Sequence, residues 1–161
     1  MLRQYRGIGG GVALMLACDM RVASDDAFFV MQEMRYAFIP DLGHVPRLLR
    51  EVSFSRAKEM LFLAERVTAA TMERWGVVNE VVRRDELEVA AERWIARCAA
   101  TPPLAIAHLK PLMLADPAGA DVEEGQRSAL AANLGTLLHT RDFREGIAAQ
   151  AERRAPNFAG E

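Results

Sequence analysis

Gly7-Ile8-Gly9-Gly10-Gly11-Val12-Ala13-Leu14-Met15-Leu16-Ala17-Cys18-Asp19 is the stretch on which the reading of the fold turns. It reads as a glycine turn feeding a buried helix of small and apolar residues, with Asp19 ending the run. The first N–H groups of a helix have no acceptor within it, and the helix dipole adds positive potential at the same end. Glycines there leave the amides uncovered, a setting that suits an anion, whether a phosphate or a developing oxyanion. The cluster is neither a P-loop nor a dinucleotide fingerprint, because no Gly-Lys-Ser/Thr follows it and no GxGxxG separates a strand from a helix. Taken alone, three glycines read equally well as a structural turn.

Working outward, Met20–Ser24 and Ala27–Val30 are short apolar runs that read as two strands joined by a tight turn at Ser24-Asp25-Asp26. From Leu42 the pattern turns helical. Ser53 is placed to cap a helix through Leu63, and Thr68 a shorter one ending near Gly76. Val77–Val82 reads as a strand. Asp85 and Glu88 have capping-box spacing, ahead of Leu87, Ala91, Trp94, Ile95 and Cys98 at helical intervals. Pro103 suits the first turn of a helix running to Leu114. Asp116–Gly119 reads as a loop, Asp121 and Glu124 as a second capping box, and Arg141–Arg153 as the last helix.

The bulk composition narrows the function classes. The 161 residues suffice for a real core, and 51% hydrophobic with 26% charged residues is ordinary for a globular protein. A net charge of −2 with scattered basic residues argues against nucleic acid as a partner. No apolar run reaches the length of a membrane span, and the first residues carry no signal-peptide pattern, so the expected location is the cytoplasm. Cys18 and Cys98 are expected to be buried structural thiols. Neither they nor His44, His108 and His139 have metal-ligand spacing, so no metal is expected.

Two carboxylates stand in apolar surroundings eight residues apart, Glu33 after Phe28-Phe29-Val30-Met31-Gln32 and Asp41 in Ile39-Pro40-Asp41-Leu42-Gly43. An apolar setting is where a carboxyl serves as base or acid. Singly, Glu33 reads as a solvated helix residue and Asp41 as a turn residue or N-cap.

The ordered set says more than its parts. Gly9-Gly10-Gly11, Leu16-Ala17-Cys18-Asp19, Arg21, Ala23, Phe29, Glu33, Ile39-Pro40, Gly43 and Arg47-Leu48 together resemble the signature of the crotonase (enoyl-CoA hydratase/isomerase) family. The resemblance continues through Ser55–Met60, Trp75–Val82, Pro102, Lys110, Asp142–Gly146 and Glu152-Arg153-Arg154, so it covers nearly the whole chain. It implies an α/β protein: a partial crotonase (ClpP-like) ββα spiral core over residues 1–100, then a C-terminal helical trimerisation region over 101–161. The chain would be the C-terminal portion of such a protein, lacking the N-terminal strands.

The resemblance also implies chemistry. A thioester carbonyl would bind between two backbone N–H groups, one matching Gly10. The other belongs to a loop upstream of Gly7, where six residues stand here. The hydratases of the family use two glutamates. The second matches Glu33, and the first falls on Ala13, which transfers no proton. Isomerases of the family work with one glutamate at the Glu33 position or an aspartate at the Asp41 position. The expected function is therefore double-bond isomerisation of an enoyl-CoA, with Glu33, Asp41 and Gly10 catalytic and Gly9, Gly10, Gln32, Pro40, Leu42 and Arg153 binding substrate. The alternatives are an enoyl-CoA hydratase and an inactive homologue that only binds or assembles. Coenzyme A is part of the substrate, so no separate cofactor is expected. The expected partners are an acyl-CoA thioester and further copies of the chain, in a homotrimer or dimer of trimers. His44 stands where the family has a second glycine and reads as a tolerated turn substitution.

Overall fold

The computed structural model describes residues 2–114, 131 and 134–161, with side chains over 7–113, 131 and 134–161. The expected Asp116–Gly119 loop and the Asp121/Glu124 capping box lie outside the described residues. The chain forms two compact units, Met1–Ile95 and Ala96–Glu161.

The first unit is built around one long strand. β1 (Leu2–Ile8) runs parallel to β2 (Arg21–Val30), and α1 (Gly10–Leu16) joins them. The other edge of β2 is shared: β3 (Val67–Thr68) pairs antiparallel with Phe28 and Phe29, and β4 (Glu80–Val82) pairs parallel with Val22–Ser24. Between these elements come a 3-10 helix (Gln32–Tyr36), α2 (His44–Glu51), α3 (Phe54–Leu63) and α4 (Ala69–Arg74), and α5 (Leu87–Ala99) follows β4. Val12, Met15, Phe29, Met31, Leu48, Met60 and Met72 form the main core between α1, β2 and the helices. Val22, Leu87 and Ala90 form a smaller cluster, with Val82 and Trp94 packed against it.

β2 differs from the expected pair of strands. Ser24-Asp25-Asp26 does interrupt the ladder, since the register to β1 jumps between Gln4 and Arg6, but the chain does not reverse. Asp25 and Asp26 bulge outward and are exposed, while Ser24 stays buried and donates to Asp26 Oδ1 at 2.6 Å. Arg84 pairs with the other oxygen of Asp26 at 3.0 Å. A Ser-Asp-Asp cluster signals a turn because its side chains bond locally; here the same bonding stabilises a bulge.

Other expectations fare unevenly. Ser53 and Thr68 cap α3 and α4, accepting from the N–H of Arg56 and Thr71. Of the strand expected over 77–82, only Glu80–Val82 is paired; Val77 and Val78 are buried but donate to Met72 O, wrapping the end of α4. Asp85 pairs with Arg83 at 3.5 Å instead of capping, and a 3-10 turn at Arg84–Glu86 delays α5 to Leu87. The Trp94 indole donates to Glu80 Oε2 at 2.6 Å and ties α5 to β4, but Ile95 is exposed. Cys98 is also exposed and Cys18 half-buried, against the expected buried thiols. β1 had no sequence signal, since Leu2–Arg6 shows no alternation of apolar and polar residues; pairing with β2 makes it a strand.

The buried Arg21 holds this unit together. Its Nε donates to Met15 O at 2.9 Å and Nη1 to Val77 O at 2.8 Å. Its Nη2 reaches Leu16 O at 3.4 Å and pairs with Glu51 at 2.8 Å. One guanidinium thus takes the last carbonyls of α1, the loop before β4 and the end of α2.

In the second unit, α6 (Pro103–Leu114) begins at its expected proline, and α7 (Arg141–Glu152) is capped by Thr140. The tail folds back along α7. The buried Asp142 carboxylate accepts from Ala159 N at 2.7 Å and Gly160 N at 2.9 Å, and Arg141 N and Asp142 N donate to Glu161 O. Glu145 takes the Arg154 guanidinium and Asn157 N.

Two outcomes are expected. Arg21→Met leaves buried carbonyls and Glu51 unpaired and lowers stability by on the order of 3 kcal/mol in urea denaturation. Arg154, with the Asn157 N–H second, holds the Glu145 carboxyl down from 4.5 to about 2. A depressed carboxylate stabilises the fold above its unfolded value and loses that contribution as pH falls. NMR titration of Glu145 is expected to find its midpoint near 2, with the tail clasp opening only below the ordinary carboxylate range.

Candidate active site

The site assembles where β1 and β2 end. Near the end of β1, Gly7 makes room for the Phe29 ring, since a Cβ there would lie 2.6 Å from Phe29 Cδ1. Two residues on, Gly9 adopts φ 50°, ψ −117°, a conformation that side chains disfavour. Gly9 N donates to Val30 O at 2.9 Å, which sets the turn against the end of β2. The Gly9 carbonyl then accepts from Val12 N at 2.8 Å and Ala13 N at 3.3 Å, starting α1. Gly10 is exposed and is the first residue of that helix, so its N–H has no acceptor within α1. α1 has only seven residues, so the individual peptide matters more here than the expected macrodipole.

Glu33 arrives from β2. Met31 is fully buried, and the chain then tightens into the 3-10 helix that carries Gln32 and Glu33. Ala37 closes this turn in the left-handed region at φ 53°, and Phe38 N donates to Glu33 O at 3.1 Å. The Glu33 side chain folds inward and is 13% exposed. Its Oε1 occupies the space above Gly9, 2.9 Å from where a Cβ on that residue would sit. Its Oε2 is buried and has no hydrogen-bond partner.

His44 completes the arrangement, contrary to its reading as a tolerated turn substitution. Gly43, at φ 75°, turns the chain into α2 and delivers His44 as its first residue, 1% exposed. Nε2 lies 3.1 Å from Gly9 O and 3.7 Å from Glu33 Oε1. A carbonyl only accepts, so Nε2 carries the proton. Nδ1 is buried without a partner. The available signal was positional: the turn after Pro40 returns the chain to the glycine cluster, where Leu42 and then His44 arrive.

The remaining expected residues divide. A Cβ on Gly10 would meet Leu42 Cδ1 at 3.5 Å, so Leu42 stands beside the exposed amide while itself 60% exposed. Gln32 and Pro40 are half-buried. Asp41 is exposed on the loop, and no contact between its carboxylate and Glu33 or Gly10 is among those described. Arg153 belongs to the second unit, where it is exposed and closes α7 at φ 56°. Ala13 is buried on α1 among apolar groups. Among the described residues no cluster of three or more His, Cys, Asp or Glu could hold a metal ion, and no helix is long and apolar enough to cross a membrane.

Comparison with known proteins identifies the family and the fold. The family model described as Enoyl-CoA hydratase/isomerase matches residues 5–161. Carnitinyl-CoA dehydratase of Proteus mirabilis is 37% identical over 155 residues, 94% of this chain and 59% of that protein. The crystal structure of an enoyl-CoA hydratase from Polaromonas sp. JS666 superposes with a TM-score of 0.86 at 30% identity, over 97% of this chain and 60% of that one. An enoyl-CoA hydratase from Bacillus anthracis superposes with a TM-score of 0.85, also at 30% identity and over the same shares. The expected partial crotonase fold is therefore borne out, and the chain spans about 60% of the length of these relatives.

The two glycines are expected to answer differently to one methyl group. Gly9→Ala forces a side chain into a disfavoured conformation and against the Glu33 carboxylate, costing about 2 kcal/mol in urea denaturation. Gly10→Ala is helical and meets Leu42 at an ordinary distance, so it is neutral or adds up to about 1 kcal/mol.

Proposed function

The chain belongs to the enoyl-CoA hydratase/isomerase family, and from that premise we propose that it serves double-bond isomerisation of an enoyl-CoA. The observation that carries the proposal is a single inward-folded carboxylate, Glu33, packed over Gly9, with the exposed Gly10 next in the chain at the head of α1 and buried Ala13 supplying no second acid. A double-bond shift needs one base. Glu33 takes a proton from C2 of a 3-enoyl thioester, and the C–H electron pair delocalises over C2–C4 and the thioester oxygen. That oxygen carries the negative charge and faces the Gly10 N–H. Glu33 then returns the proton at C4, giving the 2-enoyl product. An oxyanion donor of this kind is worth roughly 3–4 kcal/mol in the transition state.

Gly9, Gln32, Pro40 and Leu42 would border the acyl group, supported by the approach of Leu42 to Gly10. Asp41, exposed on the same loop, is retained as a second proton-transfer candidate from the resemblance. Arg153 would meet the CoA phosphates. A homotrimer or dimer of trimers goes with this reading, and exposed Phe62, Met113 and Ile147 offer apolar surface for it.

Water addition is the second reading, and the names of the relatives favour it: carnitinyl-CoA dehydratase and enoyl-CoA hydratases. One carboxylate would then both activate the water and manage the proton at C2. Assaying the purified chain with 3-enoyl- and 2-enoyl-CoA separates the two. Migration without hydration is expected, and Glu33→Gln is expected to lower it by at least about 100-fold. Hydration without migration would overturn isomerisation in favour of the second reading.

A further inference from the structure

We infer that His44 is a positioning residue that strengthens the Gly10 N–H as a hydrogen-bond donor and holds the Glu33 carboxylate over Gly9; the catalytic part of this inference rests on the function proposed above. The Gly9 carbonyl and the Gly10 N–H are the two ends of one peptide group. No peptide bond among the described residues is cis, so these ends point in opposite directions. His44 donates Nε2–H to the carbonyl end at 3.1 Å, from a site that is 1% exposed. A hydrogen bond accepted at the carbonyl draws electron density from the nitrogen of the same group and makes its N–H a better donor. Gly10 is exposed, so that donor faces outward while the imidazole pulls from within.

The same nitrogen lies 3.7 Å from Glu33 Oε1, too long for a hydrogen bond but close enough to attract the carboxylate. Oε1 is thereby kept between His44 and Gly9, and Oε2 is buried without a partner. His44 touches no reacting atom in this arrangement. It acts through a peptide and a carboxylate, and its buried Nδ1 has no hydrogen-bond partner.

The test uses the unmodified chain, His44→Gln, whose amide nitrogen can replace Nε2 as a donor, and His44→Leu, which fills the space without donating. In the unmodified chain the ring 15N shifts are expected to show Nε2 protonated and Nδ1 bare; the opposite tautomer would overturn the inference. The Gly10 amide proton is expected to move upfield in His44→Leu and to stay near its original position in His44→Gln. An unmoved resonance in both would overturn it equally. In turnover, His44→Leu is expected to lose about tenfold in kcat at nearly constant KM, less than outright loss of an oxyanion donor, with His44→Gln recovering most of that loss. Equal kcat for the two variants would overturn the catalytic part. If the unmodified chain turns over no enoyl-CoA, the proposed function fails, and the two NMR readouts still decide whether His44 polarises this peptide.

Discussion

Three donors converge on the carbonyl of Gly9: the N–H groups of Val12 and Ala13 and the imidazole of His44. The site depends on that one oxygen. It starts α1, receives the first side chain of α2, and belongs to the peptide whose N–H is presented at Gly10. The convergence requires φ 50°, ψ −117° at residue 9, and the absent Cβ leaves the space that Glu33 Oε1 occupies. Conformation and packing therefore select glycine at this position for the same geometric reason, whereas at Gly10 neither does.

A turn held this tightly needs a firm base, which Arg21 provides at the other end of α1. By bonding Met15 O, Leu16 O, Val77 O and Glu51, the guanidinium ties the short helix to α2 and to the approach of β4. Seven residues of isolated helix would be unstable in water. Fixed between the Gly9 carbonyl and Arg21, α1 cannot slide along β2, and the position of the Gly10 amide is inherited from that clamp. A charged side chain 6% exposed is costly to bury unless its donors are paired; here each bond also closes an end of a neighbouring segment.

How much of this was legible in the sequence depends on the range of the interaction. Ser53, Thr68 and Pro103 mark helix starts by bonds or backbone constraints spanning a few residues, and all three stand where their chemistry predicts. The glycine run and Glu33 were legible as an ordered set, because the signature carries long-range information that neither residue holds alone. β1 was not legible, since Leu2–Arg6 has no pattern of its own and is a strand only through β2. The Ser24–Asp26 bulge shares its local chemistry with a turn, and pairing on both sides of β2 decides between them. His44 was misjudged for the same reason. Its burial and its contact with Gly9, 35 residues away in sequence, come from the return of the Pro40–Gly43 loop.

The final consequence concerns the two oxygens of Glu33. In water they are equivalent, and either accepts a proton. Here Oε1 is enclosed by Gly9 and His44, while Oε2 is buried and unpartnered. An unpaired carboxylate oxygen removed from water is unfavourable, a cost that the surrounding core offsets. It falls where Gly9, His44 and the head of α1 meet.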